Sequence, residues 1–219
     1  MSIAENLKKI EESLPPQVTL VAVSKTHGES EIMEAYHAGQ RAFGENKVQE
    51  LVGKWEALPK DIEWHMIGHL QRNKVKYLAG FVSLIHGVDS QRLLEEIDKR
   101  AGAHNRVVDC LLQVHIARES SKFGFDEKEL EGVLQEGVLS SLPNVRIRGL
   151  MGMATFSDDP ELVASEFRYL KSLFDRLMAG REHADILSMG MSGDYRIAIG
   201  EGSTMVRIGS SIFGERNYP

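Results

Sequence analysis

Cysteine is all but absent from the 219 residues: Cys110 stands alone, so no disulfide can form within the chain and a disulfide-framed secreted scaffold is excluded. It lies in the apolar run Val107-Val108-Asp109-Cys110-Leu111-Leu112, where a small buried hydrophobe is expected and a catalytic thiol is not. Long hydrophobic runs are missing too, and none approaches the ~20 residues of a membrane-spanning helix. The N-terminal MSIAENLKKIEESLPP reads as an amphipathic helix ended by Pro15-Pro16. It lacks the apolar centre and cleavage site of a signal peptide. A reducing, cytoplasmic setting without a membrane partner is therefore expected. Basic clusters are also absent. The 26 Lys and Arg are outnumbered by 32 Asp and Glu, giving a net charge of −6, and they are interleaved with acids as in Lys8-Lys9-Ile10-Glu11-Glu12. Nothing forms the basic stripe of a nucleic-acid binder.

What is present is a globular composition, 42% hydrophobic and 26% charged, with no repeat, linker or low-complexity tract, so residues 1–219 are expected to form a single domain. Eight short apolar runs alternate with helical patterns: Val18–Val23, Arg41–Phe43, Glu63–Ile67, Phe81–His86, Val107–Ile116, Val145–Leu150, Asp185–Ser188 and Thr204–Ile208. Near-continuous apolar strands suit a parallel sheet covered on both sides. Between them, Val163, Phe167, Leu170, Phe174 and Leu177 recur on one helical face, opened by Asp159-Pro160 and stopped near Gly180. Further helices are predicted from Ser90, from Asp126 with Glu129 as a capping box, and, short, over residues 194–199. Eight alternations leave a closed (β/α)₈ barrel or an open doubly wound sheet. The count favours the barrel. So does Ser24-Lys25-Thr26-His27-Gly28 after the first strand, where a dinucleotide fold would carry its glycine fingerprint.

A barrel of this kind places its site at the C-terminal ends of the strands. Lys25 ends the first, following an apolar run and a serine. Position alone does not separate a functional lysine from one that snorkels at the rim. A partly buried lysine, however, has a lowered pKa and can trap a carbonyl as an imine. After the eighth strand, Arg207-Ile208-Gly209-Ser210-Ser211 offers backbone N–H groups and hydroxyls that could cradle a phosphate, and Gly190-Met191-Ser192-Gly193 can add donors. Either run alone reads first as an ordinary turn. Together, a lysine facing a phosphate cup suggests a phosphorylated aldehyde.

The motifs Ala22-Val23-Ser24-Lys25-Thr26, Phe43-Gly44-Glu45-Asn46, Trp64-His65-Met66-Ile67-Gly68-His69-Leu70-Gln71, Leu150-Met151-Gly152-Met153-Ala154, Leu187-Ser188-Met189-Gly190-Met191-Ser192 and Val206-Arg207-Ile208-Gly209-Ser210 run from the first strand to the last. In them the chain resembles the pyridoxal phosphate homeostasis protein family, relatives of the barrel domain of alanine racemase. The resemblance implies a TIM-type barrel of PLP fold type III with an extra N-terminal helix, and pyridoxal 5′-phosphate (PLP) as cofactor. Lys25 matches the family's Schiff-base lysine, and Arg207 the arginine that faces the pyridine nitrogen. Ser192, Gly209 and Ser210 match positions around the phosphate. Asn46, His65, Ser188 and Met189 match residues lining the pocket. Many relatives carry Thr where Ser210 stands, which keeps the hydroxyl. Others carry an acid or polar residue where Gly193 stands, which touches only local loop shape.

Other constellations carry less. His65 and His69 are four apart, but the first is placed in a strand and the second after a glycine, so a metal site is not expected. Gly190-Met191-Ser192-Gly193 would need a further glycine where Asp194 stands to form a nucleophile elbow. Gly200-Glu201-Gly202 lacks the last glycine of a dinucleotide motif. Lys122, after the fifth strand, reads first as an exposed loop lysine. Two functions from different classes remain: a carrier that stores or delivers PLP, to apo PLP-dependent enzymes among others, and an amino-acid racemase or related enzyme. A cationic arginine at the pyridine nitrogen weakens the ring as an electron sink, and racemisation needs bases on both faces of the substrate carbon. Related racemases supply the second base from a dimer partner held by an added β domain, which is not expected in a chain ending at Pro219. The carrier, a monomer without robust turnover, is the favoured expectation.

Overall fold

The computed structural model describes residues 2–117 and 123–214. Eight parallel strands close into one barrel in sequence order: β1 (Thr19–Val23), β2 (Ala42–Glu45), β3 (Glu63–Met66), β4 (Leu84–Val88), β5 (Val108–Gln113), β6 (Val145–Met151), β7 (Ile186–Met191) and β8 (Met205–Ile208). Closure is made by β8 against β1, with Thr19 beside Met205 and Ala22 beside Ile208. The outer layer consists of α1 (Ile3–Ser13), α2 (Glu29–His37), α3 (Val48–Ala57), α4 (Gln91–Ala103), α5 (Glu127–Val133), α6 (Glu136–Leu139), α7 (Pro160–Leu177), α8 (Tyr195–Gly200) and α9 (Ser210–Phe213). None of the described helices is long and apolar enough to cross a membrane.

Local chemistry explains most of these boundaries. Asp159 accepts from the amides of Glu161 and Leu162, and Pro160 opens α7, which buries Val163, Phe167 and Leu170. Asp126 and Glu129 form a reciprocal capping box. The extra helix α1 is started by a Ser2/Glu5 capping box. It packs on α9 and α2, burying Leu7 and Ile10 where the four-residue α9 alone would leave the barrel wall thin.

Several boundaries differ from the sequence reading, among them those of β4 and β7. The β3–β4 connection is a 3₁₀ turn over Arg72–Tyr77, and β4 begins at Leu84 instead of Phe81. The amides of Phe81 and Val82 both bond the Leu78 carbonyl, and Phe81 stacks on Trp55 at 4.3 Å, so these apolar residues close the turn. β7 runs three residues past Ser188, to Met191.

The core has two parts. Phe43, Trp64, Ile85, Leu94 and Phe167 fill the space between sheet and helices, with Cys110 buried among them. Val21, Ala42, Leu84, Leu111, Met151 and Met205 fill the barrel interior. Below them Arg148 bridges Asp109 and Asp185. Above them lies a polar layer in which His65 Nδ1 meets His86 Nε2 at 3.0 Å and His86 Nδ1 meets Ser188 Oγ at 3.1 Å. Burial pushes His65 down to about 4. It pushes His86 well below the ordinary histidine value, with the neighbouring His65 and Arg207 adding to the shift.

Two outcomes follow for stability. Gly149 sits in β6 with φ of +143°, beside a register shift, and a Cβ there would lie 1.9 Å from the Ile186 carbonyl oxygen. Gly149→Ala is expected to cost about 2–4 kcal/mol in urea titration; an unchanged midpoint would show that the strand can shift to make room. The buried histidines give a pH dependence. The unfolded chain protonates them near 6.5 and the fold only near 4 or below, so the unfolded state holds more protons between these values. Their contribution is complete above pH ~6.5 and declines as pH falls, by roughly 3 kcal/mol for His65. A His65→Gln/His86→Gln variant should therefore lose less Tm than the parent between about pH 6.5 and 4.5. Parallel curves would exclude the histidines as the cause.

Candidate functional site at the barrel mouth

At the C-terminal ends of the strands a cavity of about 440 Å³ opens, lined by Lys25, Asn46, Ser192, Arg207, Gly209 and Ser210 together with Ile67, His69, Gln113, Phe123, Met153, Phe156 and Met191. A larger but more open hollow of about 630 Å³ lies beside it, between His69 and Glu96. It holds neither Lys25 nor Arg207, so the smaller cavity is the one in which the predicted groups converge.

Strand alternation aims Lys25. Val23 and Lys25 face the cavity, while Ser24 between them turns outward, its hydroxyl donating to Glu45 Oε1 at 2.6 Å. Lys25 is half-buried, held in a turn where Thr26 has a φ of +68°.

Arg207 forms the cavity floor, only 4% exposed. Its Nη1 donates to Ser188 Oγ at 2.5 Å and its Nη2 to the Gly152 carbonyl at 3.1 Å. Burial pulls its pKa down to about 10, opposed by the Asp194 carboxylate, so it remains a cation at neutral pH. Asp194 itself is pushed up by burial, against the Met191 N–H that it accepts at 2.6 Å and the charge of Arg207. A guanidinium can only donate, so Ser188 accepts from Arg207, and the hydrogen bonds continue from Ser188 through His86 to His65.

His65 and Ser188 were expected to line the pocket. They lie below it, fully enclosed, as the support of Arg207. The Met189 side chain does not reach the cavity either: the residue after an inward Ser188 points outward, and Met189 is buried in the layer against the helices.

The edge at the ends of β7 and β8, next to β1, is polar and small. The Gly209 N–H donates to Ser192 Oγ at 3.2 Å, and a Cβ at Gly209 would lie 3.0 Å from the Val23 carbonyl oxygen. Ser210 is exposed and lines the cavity. Asn46 is set by close backbone contact, since a Cβ on Gly68 would lie 2.5 Å from the Asn46 carbonyl oxygen.

Further residues line the cavity, among them the strand-end His69, and Gln113 and Phe156, which were not among the residues expected there. His69 stacks on Phe123 at 3.9 Å and meets Asp89 Oδ2 at 3.0 Å. It thus turns away from His65, and among the described residues no cluster of three or more His, Cys, Asp or Glu could hold a metal. Gln113 donates to the Phe123 carbonyl at 3.0 Å. Its signal was available: β5 ends there, and the sequence reading carried the strand on to Ile116. Phe156, 98% exposed, gave no signal. Lys122 lies outside the described residues.

The alanine racemase N-terminal domain family matches residues 1–217. A pyridoxal phosphate homeostasis protein of Aquifex aeolicus is 45% identical over 201 residues, 91% of this chain and 87% of that protein. Its counterpart in Escherichia coli K12 is 37% identical over 230 residues, 99% and 97% of the two chains. Among solved structures, PipY of Synechococcus elongatus PCC7942 with PLP bound superposes with a TM-score of 0.88 at 39% identity, covering 97% of this chain and all of that one. Alanine racemase of Bartonella henselae, at 18% identity and a TM-score of 0.73, covers 99% of this chain and 61% of that one, a likeness of fold alone. With the family matched almost end to end, this chain belongs to the pyridoxal phosphate homeostasis proteins, within the alanine racemase N-terminal domain family.

Proposed function

We propose that this chain binds PLP at the barrel mouth, as a Schiff base on Lys25, and serves PLP homeostasis by storing or delivering the cofactor. The carrying observation is that a half-buried amine, a buried cation and a rim of small hydroxyl-bearing residues line one cavity. That donor set fits a phosphorylated pyridine aldehyde. Lys25 would hold the group through a C=N bond to its aldehyde carbon, with the aldehyde oxygen and the two amine hydrogens released as water. Bound PLP supplies an electrophilic carbon and an electron-withdrawing ring. Arg207 places a fixed donor toward the ring side of the cavity, and Ser192, Gly209 and Ser210 offer the polar edge suited to phosphate. Asn46 is assigned to the ring's flank. His65 and Ser188 act through Arg207, and Met189 through packing alone.

The same lining supports a carrier over a racemase. Among the described residues, the titratable side chains facing the cavity are Lys25, His69 and Arg207. Arg207 does not give up its proton at neutral pH, and His69 is engaged by Asp89. Among the described residues, no matched pair of bases faces the cavity. In this proposal the chain is one cytoplasmic, monomeric domain whose protein partners are apo forms of PLP-dependent enzymes. The PLP-bound relative and the homeostasis proteins it matches support the reading.

Borohydride reduction of protein loaded with PLP should fix the cofactor to the peptide carrying Lys25, and Lys25→Ala should abolish the visible absorption band. A band of full strength in that variant, with label on another lysine, would sink the assignment. The loaded protein should also restore activity to apo PLP-dependent enzymes given no other cofactor, with negligible racemisation or α-proton exchange of the common amino acids. Turnover near the ~10 s⁻¹ typical of enzymes would overturn the carrier reading.

A further inference from the structure

Behind Lys25, on the helix side of β1, three charged groups are gathered that the proposed function does not use. Glu45 ends β2; Glu50 and Lys54 lie one turn apart on α3. Glu45 is fully buried and the Lys54 side chain is 8% exposed. Lys54 Nζ lies 2.7 Å from Glu45 Oε1 and 2.7 Å from Glu50 Oε1, and donates to the Ser24 carbonyl at 2.8 Å. Glu50 Oε1 also accepts the Thr26 N–H at 2.6 Å. Ser24 and Thr26 are the two chain neighbours of Lys25. The cluster therefore grips the peptide group that enters Lys25 through its carbonyl, and the one that leaves it through its N–H.

The backbone shows why a grip is needed. Thr26 occupies the left-handed region, a disfavoured place for a β-branched residue. Such a conformation persists only where its surroundings over-determine it, and it recurs where geometry serves a task. Here the His27 N–H returns to the Ser24 carbonyl at 3.1 Å, closing the turn on the atom that Lys54 holds. Burial also opposes ionisation of Glu45, offset by Lys54 and the Ser24 hydroxyl, and Glu45 Oε2 has no hydrogen-bond partner. Buried ion clusters are poor sources of stability, since apolar residues of similar volume often serve as well. Their use lies in fixed direction.

We propose that Lys54 and Glu50, with Glu45 behind them, are positioning residues for Lys25: Lys54 holds the peptide that enters it, Glu50, itself bonded to Lys54, holds the peptide that leaves it, and together they set the line along which the Lys25 amine enters the cavity. This rests on Lys25 being the residue that forms the C=N bond. Without the clamp, the turn relaxes and the amine spends less time aligned with the aldehyde carbon.

Lys54→Met alone would strand the buried Glu45, so the main test is Glu45→Met/Lys54→Met, which replaces the pair with apolar volume. Schiff-base formation from PLP, followed by stopped-flow absorbance, should slow by about tenfold or more. Affinity for 4-deoxypyridoxine 5′-phosphate, which lacks the aldehyde, should stay within about twofold, because the cavity is untouched. Glu50→Ala, at a partly exposed site, should slow the same step, and Glu50→Gln, which keeps an oxygen for the Thr26 N–H, should recover most of the rate. This pair decides the matter if the double variant does not fold. A parental rate in folded Glu45→Met/Lys54→Met or in Glu50→Ala overturns the clamp. So does a parallel loss of analogue affinity, which would mean a damaged cavity. A parent chain that forms no band on Lys25 overturns the reading of the site together with the clamp, whereas a normal parent with unaffected variants overturns the clamp alone.

Discussion

The buried guanidinium of Arg207 is the constraint around which the barrel interior is organised. A permanent cation placed where almost no water reaches must find acceptors within the protein. It finds the Gly152 carbonyl, the Ser188 hydroxyl and, at longer range, the Asp194 carboxylate. Because it can only donate, Ser188 must accept from it, and the hydrogen bonds beneath continue through His86 to His65. The histidines must then stay neutral: burial already disfavours their charged forms, and the cation above adds to the shift of His86. A barrel filled by apolar side chains alone would need none of this. The polar layer is the consequence of holding one charge at the mouth.

The strand ends around that charge work on two sides at once. At the end of β1 successive residues alternate, so Lys25 faces the cavity while Ser24 faces α3 and the buried Glu45. At β7, Ser188 supports Arg207 from within while Met189 joins the outer core. Period-two alternation thus lets one short segment present a functional group inward and anchor it outward without an added loop. It also explains why neighbours in a motif differ in role. Leu187-Ser188-Met189 reads as one block in the sequence, yet only its middle member can touch Arg207.

Much of this was legible beforehand because it rests on local signals. Eight apolar runs, the Asp159-Pro160 start and the Asp126/Glu129 box are short-range features, and the rule that barrels carry their sites at strand C-termini converts them into a residue set that includes Lys25, Asn46, Ser192, Arg207, Gly209 and Ser210. What was not legible depends on contacts distant in sequence. Phe81 and Val82 have the composition of a strand, but the bonds to Leu78 and the stacking on Trp55 hold them in a turn. His65 looks like a pocket residue until β4 supplies His86 as its partner. The clamp on Lys25 joins β1, β2 and α3, and a glutamate and a lysine one turn apart on a helix read from sequence as an ordinary surface pair.

The likeness to racemases of low identity bears on fold alone, so any difference in chemistry has to be argued from what lines the cavity. Here the groups that fix charge are set by the scaffold. Arg207 is enclosed, the histidines below it are locked neutral, and the turn that carries Lys25 is gripped from the helix side. The outer rim is a different surface: Phe123, Phe156 and Met191 expose apolar side chains, and His69 is half-open to solvent. Among the described residues, the groups that fix charge therefore lie at the base of the cavity, and its rim is apolar and exposed. Enclosure is what excludes water and assembles a second base over a reacting carbon. Among the described residues, the exposed rim supplies no such cover over Lys25.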